Sequence, residues 1–186
     1  MELFDQINSH KYLYLTDISE PDINILRLVI EEARASGEPE NLNISGVIIK
    51  DCQPIVSTEE CFAYEIRFHR YIAYSIRNES YVSGDEAEEY SGRLLCIYSK
   101  SAFLDYVRAS TFASDDYPGL YKHYGINCLD HIVDVASVDE PTVQIIRGKE
   151  TPNPKSDASQ PVAAEAAKRV SNQYRSTVRS PAEQER

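Results

Sequence analysis

Apolar residues occupy every second position over the longest patterned stretch of the chain: Phe62, Tyr64, Ile66, Phe68, Ile72, Tyr74 and Ile76 are all even-numbered. Side chains alternate between the two faces of a strand, so period two marks one buried and one wetter face. The odd positions carry Glu65, Arg67, His69, Ser75, Arg77 and Glu79, with Ala63, Tyr71 and Ala73 as exceptions. A two-residue turn at His69-Arg70 would pair even with odd positions and mix the faces, and neither residue favours the positive φ of a tight hairpin. Glu59 to Ser80 is therefore expected to be one long strand, bent or bulged near Arg70, with a hairpin as the alternative.

Weaker patterns flank this stretch. Lys11 to Ile18 predicts a strand that stops at Asp17 to Pro21. Ile23 to Arg34 supports either a helix, from the spacing of Ile23, Leu26, Ile30 and Ala33, or a strand, from the alternation of Leu26, Leu28 and Ile30 with Arg27, Val29 and Glu31; the strand is preferred. Gly37 to Asn43 has a loop composition. Val47, Ile48 and Ile49 in the segment Gly46 to Lys50 lack polar alternation and predict a strand covered on both faces, followed by a turn over Asp51 to Pro54.

Tyr81 to Ser91 reads as an exposed acidic loop, and Arg93 to Tyr98 as a buried strand. A short helix from Ala102 to Val107 is expected, capped by Ser99 or Ser101. Ser114 to Gly119 is a turn. Beyond it the apolar parity switches from Tyr124, Ile126 and Cys128 to Leu129, Val133 and Val135, which predicts a bulge or bend near Cys128. Pro141 lets Thr142 to Ile146 form an edge strand or leave the sheet.

These elements predict a mainly β domain over residues 1–147, a curved antiparallel sheet, sandwich or partial barrel with one short helix, and α+β as the alternative class. From Gly148 the composition turns to Pro, Ser, Ala, Gln and charge, too poor in large apolar residues to offset ordering entropy. Residues 148–186 are thus expected to be a disordered or weakly helical tail. A transient helix over Pro161 to Arg179 is suggested by Val162, Ala166, Val170, Tyr174 and Val178.

Charge narrows the choice of partner. Gly148 to Arg186 holds seven Lys or Arg against five Asp or Glu, a balance of +2, so the net −11 of the whole chain leaves −13 on Met1 to Arg147. Such a surface repels phosphates and anionic headgroups and attracts a basic protein, so neither nucleic acid nor membrane is the expected partner. No apolar run approaches a membrane span, and Met1 to Gln6 shows no signal-peptide pattern. Cys52, Cys61, Cys96 and Cys128 form no Cys-x-x-Cys pair and suit free thiols in a cytoplasmic compartment. In acidic balance and small size the chain resembles bacterial immunity-type proteins that mask a basic toxin surface; the resemblance rests on composition, covers no motif and carries no residue roles.

Candidate chemistry is sparse. Walker, dinucleotide and nucleophile-elbow patterns are absent, and no cofactor is expected. Glu65 and His69, on one strand face, could form an acid–base pair. His123, His131 and Asp134, near Cys128 and Asp130, include metal-binding residue types at no standard spacing. Adjacent strand residues such as Asp130 and His131 point to opposite faces, so at most part of that group can converge. The stronger pattern places tyrosines beside acids in loops: Tyr81, Glu86, Glu88, Glu89 and Tyr90, then Asp115, Asp116 and Tyr117. These eight residues are the expected binding surface for a cationic protein, in an immunity-like or adaptor role.

Overall fold

A computed structural model describes residues 2–148. The expected tail helix over Pro161 to Arg179 lies outside the described residues. The fold is mainly β: two antiparallel sheets share one apolar core, and a separate two-stranded arm stands apart from them. The first sheet has the order β1 (Tyr12–Asp22), β2 (Ile25–Ala35), β6 (Ala63–Phe68), β12 (Thr142–Arg147), with the short β5 (Ile55–Val56) also paired to β2. The second runs β7 (Tyr71–Asn78), β11 (His131–Ser137), β10 (Lys122–Asn127), β9 (Leu95–Lys100), β8 (Glu89–Gly92). β3 (Glu40–Ile44) and β4 (Val47–Cys52) form the arm, and helices α1 (Glu2–Ser9) and α2 (Ala102–Ser110) complete the described chain, with one 3-10 turn at Glu79–Tyr81.

The period-two stretch makes the core. Tyr64, Ile66 and Phe68 on β6 face Leu26, Leu28 and Ile30 on β2 across a register that pairs Ile66 with Leu28, and all six are buried. Tyr124, Ile126, Val133 and Val135 of the second sheet close over them, as in a sandwich. Each such aliphatic side chain contributes roughly 1.5–3 kcal/mol by leaving water. At His69-Arg70 the expected single strand is broken: β6 and β7 are separate strands in different sheets and do not pair, so the chain turns a corner between sheets and forms neither one continuous strand nor a hairpin. Beyond the bend Tyr74 and Ile76 keep the same parity but stay partly exposed, because β7 is a sheet edge.

Several local expectations change. β1 extends past Asp17 because a register shift between Leu15 and Asp17 brings Leu13, Leu15 and Ile18, of mixed parity, against one core; the turn falls at Ile23-Asn24, where Asn24 has φ 58°. The rest of the Ile23 to Arg34 segment is strand from Ile25 onward, in β2, and not helix. The parity switch near Cys128 is a hairpin turn between β10 and β11, closed by the Cys128 N–H donating to the His131 carbonyl at 2.8 Å. The segment Gly37 to Asn43, expected to be loop, is strand from Glu40 as most of β3, and the aliphatic β4, expected to be covered on both faces, is open to solvent. Its turn, Ser45-Gly46, has positive φ at both residues (51° and 90°), which suits the right-handed twist of a two-residue hairpin. Helix α1 was not expected; the Asn8 side chain fixes it by accepting from the N–H groups of Arg93, Leu94 and Leu95 at 2.8–3.0 Å.

Candidate protein-docking surface

The strand registers bring several loops to one end of the sandwich. In the second sheet Tyr71 pairs with Ser137, Ser137 with Lys122, and Glu89 with Lys100, so the chain entering β7, leaving α2 and entering β8 lies at the same end. The β1–β2 turn reaches this end too, since Asn24 lines a groove of about 400 Å³ with Arg70, Tyr71, Phe112, Tyr117 and Pro118. Ile23 is 85% exposed and Phe112 83% exposed, and the Phe112 and Tyr117 rings stack at 6.0 Å. Arg70, a cation in the groove wall, is held by Asp139, whose Oδ2 accepts from Nε at 2.6 Å. That hydrogen bond holds the Asp139 carboxyl below its usual range.

Asp115 and Asp116 stand exposed beside Tyr117. A second groove of about 560 Å³ flanks the same α2–β10 loop and includes Glu89, Tyr90, Tyr98, Arg108 and Tyr121. Tyr90 packs against Tyr98 at 4.9 Å between ring centroids, leaving its other face to solvent. Glu86 is exposed in the approach to β8, while Glu88 is half-buried and accepts from the Ala102 N–H at 3.1 Å, at the positive start of α2. Tyr81 lies elsewhere: it is 87% exposed just after Asn78, which pairs with His131 at the opposite end of the second sheet. Of the eight expected binding residues, Glu89 and Tyr90 line the second groove and Tyr117 the first; Asp115, Asp116, Glu86 and Glu88 sit in the flanking loops without lining either groove, and Tyr81 lies at the opposite end of the sheet.

The candidate catalytic and metal residues have a different arrangement. Glu65 is buried and accepts from Arg67 Nε at 2.6 Å and Gln144 Nε2 at 2.7 Å, besides its ion pair with Arg27. The Arg67 and Arg27 hydrogen bonds hold its carboxyl below the usual range. His69 sits exposed in the bend near Asp139, apart from this network. His123 and Asp134 do meet, with Nε2 to Oδ1 at 3.0 Å, whereas His131 shares the parity of the core-facing Val133 and projects from the other face. Burial pushes the nearby Cys128 thiol up to about 12, which disfavours the thiolate a metal would need. Among the described residues no group of three or more His, Cys, Asp or Glu side chains could hold a metal ion.

Two buried networks were not assembled from the sequence. In the first, the Leu104 N–H donates to Ser101 Oγ (3.1 Å), which also meets His123 Nδ1 (2.8 Å), and Nε2 on the other side of the ring meets Asp134 Oδ1 (3.0 Å), a carboxylate that also accepts from Arg77. The imidazole is enclosed between the Tyr98 and Phe103 rings. Ser101, His123 and Asp134 are the residue types of a hydrolytic triad. All three are only 2% exposed, and the Ser101 oxygen caps α2, so the chain of hydrogen bonds fastens the helix to the sheet. In the second network, the Tyr64 hydroxyl donates to His10 Nε2 at 2.5 Å and the opposite ring nitrogen meets Glu32 at 3.3 Å. Glu32 also accepts from Arg34 and from the Phe62 N–H.

Burial drives the His10 pKa below its ordinary value against the pull of Glu32, and pushes Tyr64 up to about 12. Burial also opposes ionisation of Glu32, but the Arg34 and Phe62 hydrogen bonds and the neighbouring positive charge outweigh it, leaving that carboxyl below its ordinary value. One signal for this network was legible: Glu32 continues the inward parity of Leu26, Leu28 and Ile30, and a charge on an apolar face requires a partner.

Comparison of the chain with protein-family models, with curated proteins and with solved structures returns no match. Among the described residues no helix is long and apolar enough to cross a membrane.

Proposed function

We propose that this chain is a non-enzymatic protein-binding module whose acidic, tyrosine-bearing end receives a cationic protein partner, in an immunity-like or adaptor role. The observation that supports this reading is a groove lined by exposed Phe112 and Tyr117, with exposed Asp115 and Asp116 adjacent in sequence, and a second groove at the same end of the sheet lined by Glu89 and Tyr90. Aromatic rings supply contact area at small entropic cost, and carboxylates around them steer a basic surface into register. The −13 balance of Met1 to Arg147 acts in the same direction at longer range and disfavours nucleic acid and anionic membranes as partners. Four free cysteines support a reducing, cytoplasmic setting, and a bacterial origin follows from the immunity-like reading alone.

The alternative is a small ligand-binding or hydrolytic β-fold working through Glu65 and His69 or through the His123–Asp134 pair. It has less support, because the buried carboxylates already serve arginines and histidines of the fold.

The reading is tested by immobilising the full chain, identifying proteins retained at low salt, and titrating the most abundant one in purified form. The expected partner is basic, binds more weakly as salt rises, and loses about tenfold or more in affinity to an Asp115→Asn/Asp116→Asn/Tyr117→Ala variant. Recovery of no stoichiometric partner at low salt, or equal binding by the triple variant, contradicts it.

A further inference from the structure

At the end of β2 remote from Asn24, about 35 Å away along an eleven-residue strand, the chain leaves the sandwich to form the arm. The register pairs Leu42 with Ile49 and Ile44 with Val47, which puts four aliphatic side chains on one face of the ribbon. Their exposures are 45%, 46%, 57% and 65% respectively. Both outer edges of the ribbon are unpaired, since β3 and β4 pair only with each other among the described strands. An apolar, two-edged ribbon invites strand addition, and an isolated hairpin gains little stability from its own pairing.

We infer that the β3–β4 arm is a second docking element, one that takes up an extended segment whose apolar residues alternate with Lys or Arg. Charge selects this occupant. The chain around the arm contains Glu38, Glu40 and Asp51 against Lys50, and the whole of Met1 to Arg147 carries −13. A second copy would set like charge against like, whereas Lys or Arg in an added strand is attracted while its apolar alternate positions lie beside the face formed by Leu42, Ile44, Val47 and Ile49. Backbone hydrogen bonds to a free edge supply the remaining recognition. This surface is separate from the acidic end, so it stands or falls independently of the function proposed above.

The probes are three labelled nine-residue peptides of alternating Val/Lys, Thr/Lys and Val/Glu, titrated by fluorescence anisotropy against the full chain. Val/Lys is expected to bind about tenfold or more tightly than either control, because it alone combines alternating apolar positions with positive charge. A Leu42→Thr/Ile44→Thr/Val47→Thr/Ile49→Thr variant should lose that preference, while the Asp115→Asn/Asp116→Asn/Tyr117→Ala variant keeps it. Equal binding of Val/Lys and Thr/Lys, equal binding of Val/Lys and Val/Glu, or a preference that survives the four Thr substitutions overturns the inference. So does a dimer in sedimentation analysis that those substitutions disperse, which would make a second copy the occupant. A preference abolished by the triple variant alone removes the arm from the picture and leaves the acidic end as the docking surface.

Discussion

Strands β4 and β6 carry comparable apolar residues and have opposite environments. Ile66 on β6 is fully buried between β2 and β12 and under the second sheet, whereas Ile48 on β4 is 61% exposed. Hydrophobicity alone does not decide which strand joins a core; a second layer must be within reach. β6 has neighbours on both edges and a facing sheet, so its apolar face leaves water completely. β4 has one neighbour and no facing layer, so its aliphatic side chains contribute little to folding and remain available for contact. The same contrast separates the inward Glu32, satisfied by His10, Arg34 and Phe62, from the exposed carboxylates of the grooved end.

The sharpest way to break this comparison is to cut into the buried strand. Ile66→Ala is expected to lower unfolding free energy by about 2–5 kcal/mol, from lost transfer energy and the cavity left behind, as read by urea denaturation. Next in size is Glu32→Ala. It leaves His10 and the Phe62 N–H without their acceptor, and a loss of about 1–3 kcal/mol in the same measurement is expected.

Acid acts on the same cluster. The folded His10 pKa lies below its ordinary 6.5, so the unfolded chain binds the proton first as pH falls; this contribution is full above 6.5 and is lost as pH drops through the folded value. The folded Glu32 pKa lies below its ordinary 4.5, so its contribution is full above 4.5 and is lost on descent through its own folded value. Melting temperature should therefore fall toward acid in two stages, and His10→Gln should reduce the earlier one. A wild-type profile that rises between neutral pH and pH 5 would contradict the assignment. The smallest effect is expected at Gly46, where φ of 90° strains any side chain: Gly46→Ala should speed amide exchange in β3 and β4 by a cost of about 1 kcal/mol while leaving the sandwich amides unchanged.

The sandwich was legible in the sequence because its even-numbered run could satisfy only one strand face at a time. The same parity spoke against a hairpin at Arg70, while the break between two sheets there left no mark in it. Ser45-Gly46 lacks the Asn-Gly or Asp-Gly signature of a two-residue hairpin, and Asn41 and Asn43 give β3 a loop-like composition although Leu42 and Ile44 alternate with them, so the arm is concealed in the sequence. The aliphatic run Val47 to Ile49 predicts burial, because such runs ordinarily are buried, and sequence carries no record of which layer will be absent. Of the site, the acidic and aromatic segments around Tyr90 and Tyr117 were visible as composition, but their meeting at one end depends on strand registers spanning more than sixty positions, from Tyr71 to Ser137. Ile23 and Phe112 belong to that end only through those long-range pairings.

The claim that the arm's apolar face is surplus to folding is tested most directly by the urea stability of the Leu42→Thr/Ile44→Thr/Val47→Thr/Ile49→Thr variant beside Ile66→Ala. The four exposed substitutions together should change unfolding free energy by no more than about 1 kcal/mol, well short of the single core truncation. A loss equal to that of Ile66→Ala would mean that the arm is part of the core.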